Sequence, residues 1–202
     1  ENTPKIFFSR GEIGILKVSE VWLRWLMNRI YGSNNRLNIY KGLSPKEKKE
    51  RIDSWNHEFI TKAYLKDEVP IGAVIVKDGK IIARAHNLRE QKQNSLCHAE
   101  ILAINKACKK LNAKFLDDCD LYVTLEPCAM CATAISFARI KNIYFAATDE
   151  KGGGITANAR IFENDKHLWK PNVIQMPEYA EQSAKMLREF FQKQRNKKET
   201  KW

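Results

Sequence analysis

The chain contains His98-Ala99-Glu100 and, further along, Pro127-Cys128-Ala129-Met130-Cys131, and these two stretches decide its fold and its chemistry. Imidazole and thiolate are preferred zinc ligands, and a zinc ion with only three protein ligands keeps a fourth position for water. His98, Cys128 and Cys131 are therefore predicted to bind one Zn²⁺ ion at an open site.

Glu100 follows His98 closely enough to reach a water on the metal without being a ligand itself. Zinc lowers the pKa of bound water from about 15.7 towards 7, so that hydroxide exists at neutral pH. Glu100 is therefore the candidate catalytic residue, acting as a proton carrier. The alternatives are a closed structural zinc site with Cys108 or Cys119 as its fourth ligand, or a reduced Cys-x-x-Cys pair without metal.

Each half of this pattern is followed by a sequence compatible with a helix. Apolar residues recur at helical spacing from Ala99 to Leu111, and this helix is predicted to end near Asn112. If a second helix begins at Cys128, the sulfurs of Cys128 and Cys131 lie on one side of its first turn. Helix N-termini carry unpaired N–H groups and about half a positive charge, which favour thiolate and hydroxide. Two helix N-termini are therefore expected to meet at the metal.

The remaining apolar patterns predict strands that alternate with helices. Asp78-Gly79 separates two apolar runs, which indicates a two-residue hairpin. Ser44-Pro45-Lys46-Glu47 has the pattern of a capping box and predicts a helix that runs to about Lys66. Further strands and a last helix are predicted at residues 121–125, 143–147, 173–176 and about 178–195. This order predicts an α/β fold with helices on both faces of a sheet.

The length and composition allow one sizeable core with some chain left over, because 44% of the 202 residues are hydrophobic. Residues 44–202 are predicted to form the catalytic domain. Residues 1–43 are predicted to form an N-terminal extension of unknown role with one amphipathic helix, Val18–Tyr31. The five cysteines are an odd number and no signal peptide is recognised, so a reducing, cytoplasmic location is expected. No apolar run approaches the roughly 20 residues that span a bilayer, so no membrane partner is expected.

The formal net charge of +11 indicates a polyanionic partner, because Lys and Arg displace counterions from phosphates. From Lys193 to the end of the chain, five basic residues face one acid, a net charge of +4. This segment is interpreted as an RNA contact, with a solvated, frayed tail as the alternative. Gly152-Gly153-Gly154 is predicted to form a loop that is flexible or contacts phosphate.

From about Ile52 to Arg195 the chain resembles the bacterial tRNA-specific adenosine deaminases, which belong to the cytidine-deaminase-like superfamily. The His-x-Glu and Pro-Cys-x-x-Cys pattern is that of zinc-dependent nucleobase deaminases. The resemblance implies a three-layer α/β/α sandwich with a central mixed sheet. It is carried by residues that occur in the family's order and with similar spacing: Glu68–Val74, Asn87, His98–Glu100, Thr124–Cys131 and Asp149.

The resemblance also implies which residues contact the substrate. Asn87 is implied to hydrogen-bond the purine, with the main chain near Ala99 and Glu126 framing the base. Pro70, Ile71 and Leu125 are implied to be apolar walls of the pocket. Asp149 is implied to contact the nucleotides next to the target. Phe190 and Phe191 are implied to form a paired aromatic site near the RNA. For one of the two phenylalanines, core packing with Met186 and Leu187 is the alternative, and Asn87 could instead end its strand as a turn residue.

The activity that the resemblance implies is hydrolytic deamination of adenosine to inosine at the wobble position of tRNA. It further implies the tRNA anticodon stem-loop as partner and a homodimer whose RNA site draws on both subunits. Asn94-Ser95-Leu96-Cys97 departs from the Asp-Pro-Thr-Ala usual in the family, and the N-terminal segment has no counterpart there. Deamination of free guanine or a cytosine-type base, or a non-catalytic zinc or RNA-binding module, remain as alternatives.

Overall fold

A computed structural model of the protein describes residues 61–163 and 169–199. Residues 61–65 are helical and a turn follows at Lys66, where the helix predicted to begin at Ser44 was expected to end. The rest of that predicted helix lies outside the described residues. The N-terminal extension, with its predicted helix Val18–Tyr31, lies outside the described residues.

The described part of the chain has five strands and three further helices. Two short 3₁₀ turns, Ile161–Glu163 and Pro177–Tyr179, lie between the later elements. The elements in chain order are β1 (Gly72–Lys77), β2 (Lys80–His86), α1 (Ala99–Leu111), β3 (Cys119–Leu125), α2 (Ala129–Phe137), β4 (Asn142–Ala147), β5 (Asn172–Gln175) and α3 (Ala180–Glu199). In these described residues, no helix has the length and hydropathy needed to cross a bilayer.

The strands form one mixed sheet in the order β2-β1-β3-β4-β5. β1 is antiparallel to both of its neighbours, whereas β3, β4 and β5 run parallel to one another. The predicted hairpin is confirmed: Asp78 has φ 50° and Gly79 has φ 71°, and positive φ at both central residues is what a type I′ turn requires.

Successive side chains of a strand point to opposite faces of the sheet, and both faces are covered by other elements. One face packs against α1 and α2, with Ile75, Leu121 and Phe145 of the sheet in the same buried cluster as Ala103 and Ile135 of the helices. On the other face lies a smaller cluster, against which Tyr179 packs just before α3, and α3 itself contacts β3 and β4. The predicted three-layer α/β/α arrangement is thereby confirmed.

One edge of the sheet collects the residues that the sequence had singled out. The start of β1 lies beside the end of β3, because Ala73 pairs with Val123 in antiparallel register. The ends of β3 and β4 lie side by side, because Leu125 pairs with Ala147 in parallel register. The loops before β1 and after β2, β3 and β4 therefore meet at this edge.

Candidate active site

His98, Cys128 and Cys131 converge at that edge of the sheet. His98 is the N-cap of α1 and Cys128 is the N-cap of α2, as expected for two helix N-termini that meet. His98 Nδ1 lies 3.7 Å from Cys128 Sγ and 3.6 Å from Cys131 Sγ. A nitrogen and a sulfur bound to one zinc at a tetrahedral angle would be about 3.6 Å apart, given bonds of about 2.0–2.1 and 2.3 Å. The three ligand atoms therefore fit one tetrahedral zinc ion through Nδ1.

The alternative of a closed structural site is not supported in the part of the chain that is described. The group of potential ligands found there consists of His98, Cys128 and Cys131, without Cys108 or Cys119. Cys119 is buried at the start of β3, where its thiol donates to Asp118 Oδ1 at 3.4 Å. The donor set is therefore that of a zinc site with an open position.

The electrostatics of the three side chains already favour a thiolate. A hydrogen bond from the Cys131 thiol, together with the smaller effect of the contact with His98, lowers the pKa of Cys128 to about 4. The pKa of His98 is raised because it shares a hydrogen bond with Cys128. The pKa of Cys131 is raised by its role as donor to Cys128 and by burial. A divalent cation here would favour deprotonation of both sulfurs and a neutral imidazole.

Glu100 lies in the first turn of α1 with only 3% of its surface exposed. Burial raises the pKa of its carboxyl group. Its Oε2 is the one buried side-chain oxygen or nitrogen in the described residues that has no hydrogen-bond partner. Leaving a buried acceptor unpaired costs about 1–3 kcal/mol, so this atom is positioned for a ligand or a reacting water. The observation fits a zinc site that holds a water beside Glu100.

Asn87 is buried directly after β2, and its side chain is fixed by α1. Its Oδ1 accepts a hydrogen bond from the main-chain N–H of Ala99 at 2.9 Å. Its own main-chain N–H donates to the carbonyl of Ile71 at 3.2 Å. These bonds span the site rather than a local turn, and Nδ2 makes no hydrogen bond to a described residue. The structure therefore leaves Nδ2 available to a ligand.

The three predicted wall residues lie at the same edge of the sheet. Pro70 is buried, Ile71 is half-buried against the core, and Leu125 is half-buried as the last residue of β3. Their role as pocket walls stays a prediction.

Glu126 has a structural role that its sequence position did not reveal. Its buried carboxylate accepts four main-chain N–H groups: those of Ile155 at 3.1 Å, Thr156 at 2.6 Å and Ala157 at 3.1 Å on Oε1, and that of Asp149 at 3.1 Å on Oε2. Burial alone would raise the pKa of Glu126, but these four donors outweigh it and lower the pKa. The side chain therefore fixes residues 149–157, which we call the β4 loop.

The β4 loop packs directly on the start of α2. Gly154 donates its main-chain N–H to the carbonyl of Pro127 at 2.7 Å. A Cβ atom on Gly154 would lie 2.5 Å from the nitrogen of Ala129 and 2.6 Å from the carbonyl carbon of Cys128. Glycine is required here by close approach, not by positive φ. The structure thus gives this predicted flexible or phosphate-contacting turn a packing role.

Asp149, the predicted contact for neighbouring nucleotides, is half-exposed at the start of the β4 loop. Its Oδ1 accepts the main-chain N–H groups of Lys151 at 3.2 Å and Gly152 at 3.0 Å. The side chain therefore shapes its own loop, and a contact to RNA stays a prediction.

The predicted aromatic pair on α3 is divided between core and surface. Phe190 is 3% exposed and packs edge-on against Tyr64, with ring centroids 6.0 Å apart, whereas Phe191 is 46% exposed. The packing interpretation is therefore correct for Phe190, and the prediction that Phe190 contacts RNA is corrected. Consecutive helical residues point about 100° apart, so the two rings differ in burial although their centroids are only 5.4 Å apart. Phe191 remains available to a partner.

The basic end of α3 is partly paired within the molecule. Lys197 Nζ lies 2.8 Å from Asp67 Oδ1, Lys193 Nζ lies 3.6 Å from the same atom, and Gln194 donates to it at 3.3 Å. This stretch is therefore a docked helix and not a frayed tail as far as Lys197. We call these contacts the Asp67 clasp.

The segment that leads into His98 is a tight turn. Asn94 Oδ1 accepts the N–H of Leu96 at 2.9 Å, and the Asn94 carbonyl accepts the N–H of Cys97 at 3.1 Å. Leu96, in this non-family stretch, is exposed next to the site. The sequence analysis gave no role to Glu68. Its buried carboxylate accepts main-chain N–H groups of Glu90 and Gln91 in this loop. The signal that could have indicated such a role was a carboxylate in an otherwise apolar stretch that resembles the family.

The fold and the site together define a deaminase of the cytidine-deaminase-like fold. A family model of the MafB19-like deaminases matches residues 47–195. A tRNA-specific adenosine deaminase of Rickettsia typhi is 47% identical over 136 residues, which is 66% of this chain and 91% of the relative. The chain therefore belongs to the family of tRNA-specific adenosine deaminases.

One solved structure agrees with this assignment, and a second agrees with the fold. One from a study of A-to-I editing by tRNA:A34 deaminases at the wobble position of transfer RNA has a TM-score of 0.65 and 41% identity, and the match covers 68% of this chain and 99% of that one. A guanine deaminase from Nitrosomonas europaea has a TM-score of 0.53 and 21% identity, over 73% of this chain and 84% of its own. The second likeness shows the fold alone.

Proposed function

We propose that this protein deaminates adenosine to inosine at the wobble position of a tRNA anticodon. The observation that carries the proposal is the unpartnered, buried Oε2 of Glu100, a carboxylate that interacts electrostatically with the three converging metal-ligand candidates. Membership of the tRNA-specific adenosine deaminase family supports adenosine in RNA as the substrate.

His98 Nδ1 and the sulfurs of Cys128 and Cys131 would hold Zn²⁺, which supplies a Lewis acid that makes water a nucleophile at neutral pH. Glu100 accepts a proton from the attacking water and delivers it to N1 of the adenine. The new bond joins the water oxygen to C6. Glu100 then takes the second proton from the new hydroxyl on C6 and gives it to the amino group. The C6–N bond breaks, ammonia leaves, and the C6 carbonyl of inosine forms.

Asn87 orients the base in this account. Its Oδ1 is held by Ala99, which directs Nδ2 to a purine acceptor. Because Ala99 also begins the helix that carries His98 and Glu100, the base and the proton carrier share one rigid support.

An RNA partner is supported by the net charge of +11 and by the exposed ring of Phe191 on α3. Anticodon loops present unstacked bases, which lowers the cost of bringing one into a pocket. We further propose a homodimer, which the family resemblance implies, and a cytoplasmic location. The cytoplasmic proposal rests on the tRNA substrate and on five cysteines that are all unpaired.

Two rival functions are tested by one experiment. The purified protein is offered an anticodon stem-loop with adenosine at the wobble position, free guanine and cytidine in parallel, and each product is quantified by mass spectrometry. The proposal predicts inosine in the stem-loop and little product from the free compounds. Turnover of guanine or cytidine instead would support a free-base enzyme, and no turnover of any substrate by zinc-loaded protein would support a binding module.

A further inference from the structure

Two carboxylates outside the candidate metal site are almost fully buried. Glu68 is 1% exposed and Glu126 is 2% exposed. A buried charge needs hydrogen bonds or an opposite charge to compensate its desolvation. Within the described residues, both carboxylates are compensated by main-chain N–H groups of distant loops.

Glu68 holds the loop that leads from β2 to His98. The main-chain N–H of Gln91 donates to Glu68 Oε1 at 2.8 Å, and that of Glu90 donates to Oε2 at 3.2 Å. Residues 88–97, which we call the β2 loop, lie between Asn87 and His98 in the sequence. Glu68 therefore fixes the middle of a loop whose two ends carry candidate site residues.

Glu126 holds the β4 loop through four N–H groups, as described above. This loop begins with Asp149 and rests on Cys128 and Ala129 through Gly154. Glu126 also precedes Pro127 and Cys128 in the chain, so the carboxylate links the loop to the segment that carries two metal-ligand candidates.

The two carboxylates occupy equivalent places at the same edge of the sheet. Glu68 precedes β1 and Glu126 follows β3, and these strands are antiparallel neighbours. Each carboxylate uses both of its oxygens as acceptors. A glutamine of the same shape would turn one oxygen into an N–H donor, which would then face another donor.

We propose that Glu68 and Glu126 are positioning residues of the deaminase site: Glu68 fixes the β2 loop and Glu126 fixes the β4 loop for binding of the substrate. The proposal rests on the function proposed above, but its structural part stands on the hydrogen bonds alone. Neither carboxylate touches the substrate or the metal in this account. Each acts through main-chain groups of its own loop, and the two loops are held independently.

The test compares Glu68→Gln and Glu126→Gln with Glu181→Gln as a matched control, since Glu181 lies on α3 with 81% of its side chain exposed. Hydrogen–deuterium exchange with peptide-level mass spectrometry reports on each loop. Glu126→Gln should increase exchange in residues 149–157 and leave residues 88–97 unchanged. Glu68→Gln should do the reverse. Zinc content should stay at the wild-type level in all three proteins.

Activity supplies the readout that a merely stabilising role would not change. For each of the two Gln variants we expect kcat/KM on the stem-loop to fall about 10–100-fold, chiefly through KM, since small misplacements are costly. Glu126→Asp and Glu68→Asp keep the charge and should recover part of both loop protection and kcat/KM. If the stem-loop is not a substrate, the same comparison is made with whichever base the wild-type protein deaminates.

Unchanged exchange in the matching loop would overturn the proposal. Increased exchange with unchanged kcat/KM would also overturn it, because the loop would then be held for no catalytic purpose. A uniform rise in exchange over the whole protein, in both the Gln and the Asp variants, would assign the carboxylates to global stability. An inactive wild-type protein would reject the proposed function, while the exchange data would still decide whether the carboxylates hold the loops.

Discussion

Three side chains at two helix N-termini form the candidate metal site, and the structure brings together the three residues that the sequence had proposed as ligands. The motif is local, because the first turn of α2 presents Cys128 and Cys131 together. His98 comes from a distant part of the chain, but its motif partner Glu100 made its role recognisable. The long-range pairing between His98 and the two cysteines therefore came from the family pattern, because spacing alone does not predict that these residues meet.

Removal of a ligand should remove the metal. His98→Ala and Cys128→Ala are each expected to lose bound zinc and to unfold at lower temperature, because two remaining ligands hold zinc poorly and leave buried polar groups unpaired. Metal content by inductively coupled plasma mass spectrometry and thermal unfolding check this. Cys108→Ala is the control and should keep its zinc; full zinc retention in both ligand variants would contradict the assignment.

Other residue roles could not be predicted because they depend on contacts between distant segments. Glu126 was expected to frame the base through its main chain. Its side chain also accepts hydrogen bonds from main-chain N–H groups of residues up to 31 positions away. The sequence indicated that one of Phe190 and Phe191 could pack in the core but not which one, and the structure buries Phe190, against Tyr64. A local pattern does not specify which distant partner a side chain finds.

Helices and strands were predicted well where periodicity and turn chemistry are strong. The α1 helix ends at Leu111 with Asn112 as its C-cap, close to the predicted end, and the Asp78-Gly79 hairpin has its expected turn. The docking of α3 was not predicted, because Asp67 and Lys197 are 130 positions apart. The positive charge of this segment indicated a negatively charged partner, and two of its lysines, Lys193 and Lys197, pair with Asp67 of the same chain.

The Asp67 clasp should contribute modestly to stability in a pH-dependent way. The hydrogen bond from Lys197 lowers the pKa of Asp67 below its ordinary value of 3.8. A lowered pKa means that the contribution is present at neutral pH and is lost as the pH falls through the folded-state pKa. Both side chains of the pair are about half exposed, so Asp67→Asn should cost at most about 1 kcal/mol.

Thermal unfolding of wild type and Asp67→Asn at several pH values measures this contribution. The two midpoints should differ by roughly 2–4 °C or less at pH 7 and should converge at a pH below the ordinary Asp value. Glu163→Gln, at an exposed position, is the control. A larger difference at acid pH than at pH 7 would contradict the clasp.

Two truncations separate the clasp from RNA binding. Ending the chain after Lys197 removes Lys198 and Lys201 but keeps the clasp. Ending it before Lys193 removes the clasp together with all the basic residues of the segment. Binding of an anticodon stem-loop should weaken and its salt dependence should flatten in both, more in the longer truncation, because each phosphate contact contributes about 0.7–0.9 to the slope. Only the longer truncation should lower thermal stability.

Fluorescence anisotropy over a range of salt concentrations measures affinity and slope together. Unchanged affinity and slope in both truncated proteins would mean that the basic end of α3 does not contact RNA. Zinc content should be unaffected, since the candidate ligands lie at the N-termini of α1 and α2, away from α3.

At the scale of the whole molecule, the sheet brings separate loops to one edge, and each loop contributes residues to the candidate site. The loop before β1 supplies Glu68 and the predicted wall Pro70, the loop after β2 supplies Asn87, and the segment after β3 supplies Glu126 and Cys128. The mixed sheet makes this possible, because an antiparallel β1 places its start beside the ends of its neighbours. The fold class was predictable from the order of elements, whereas the loop contacts were not.

The most direct measurement of the central claim is turnover of an anticodon stem-loop by wild type and Glu100→Ala, with zinc content determined on the same samples. The account predicts inosine at the wobble position with wild type. It predicts a rate at least about 10²–10⁴-fold lower with Glu100→Ala, since one residue serves as both base and acid. Zinc content should be equal in the two proteins. Near-normal turnover by zinc-loaded Glu100→Ala would contradict the account.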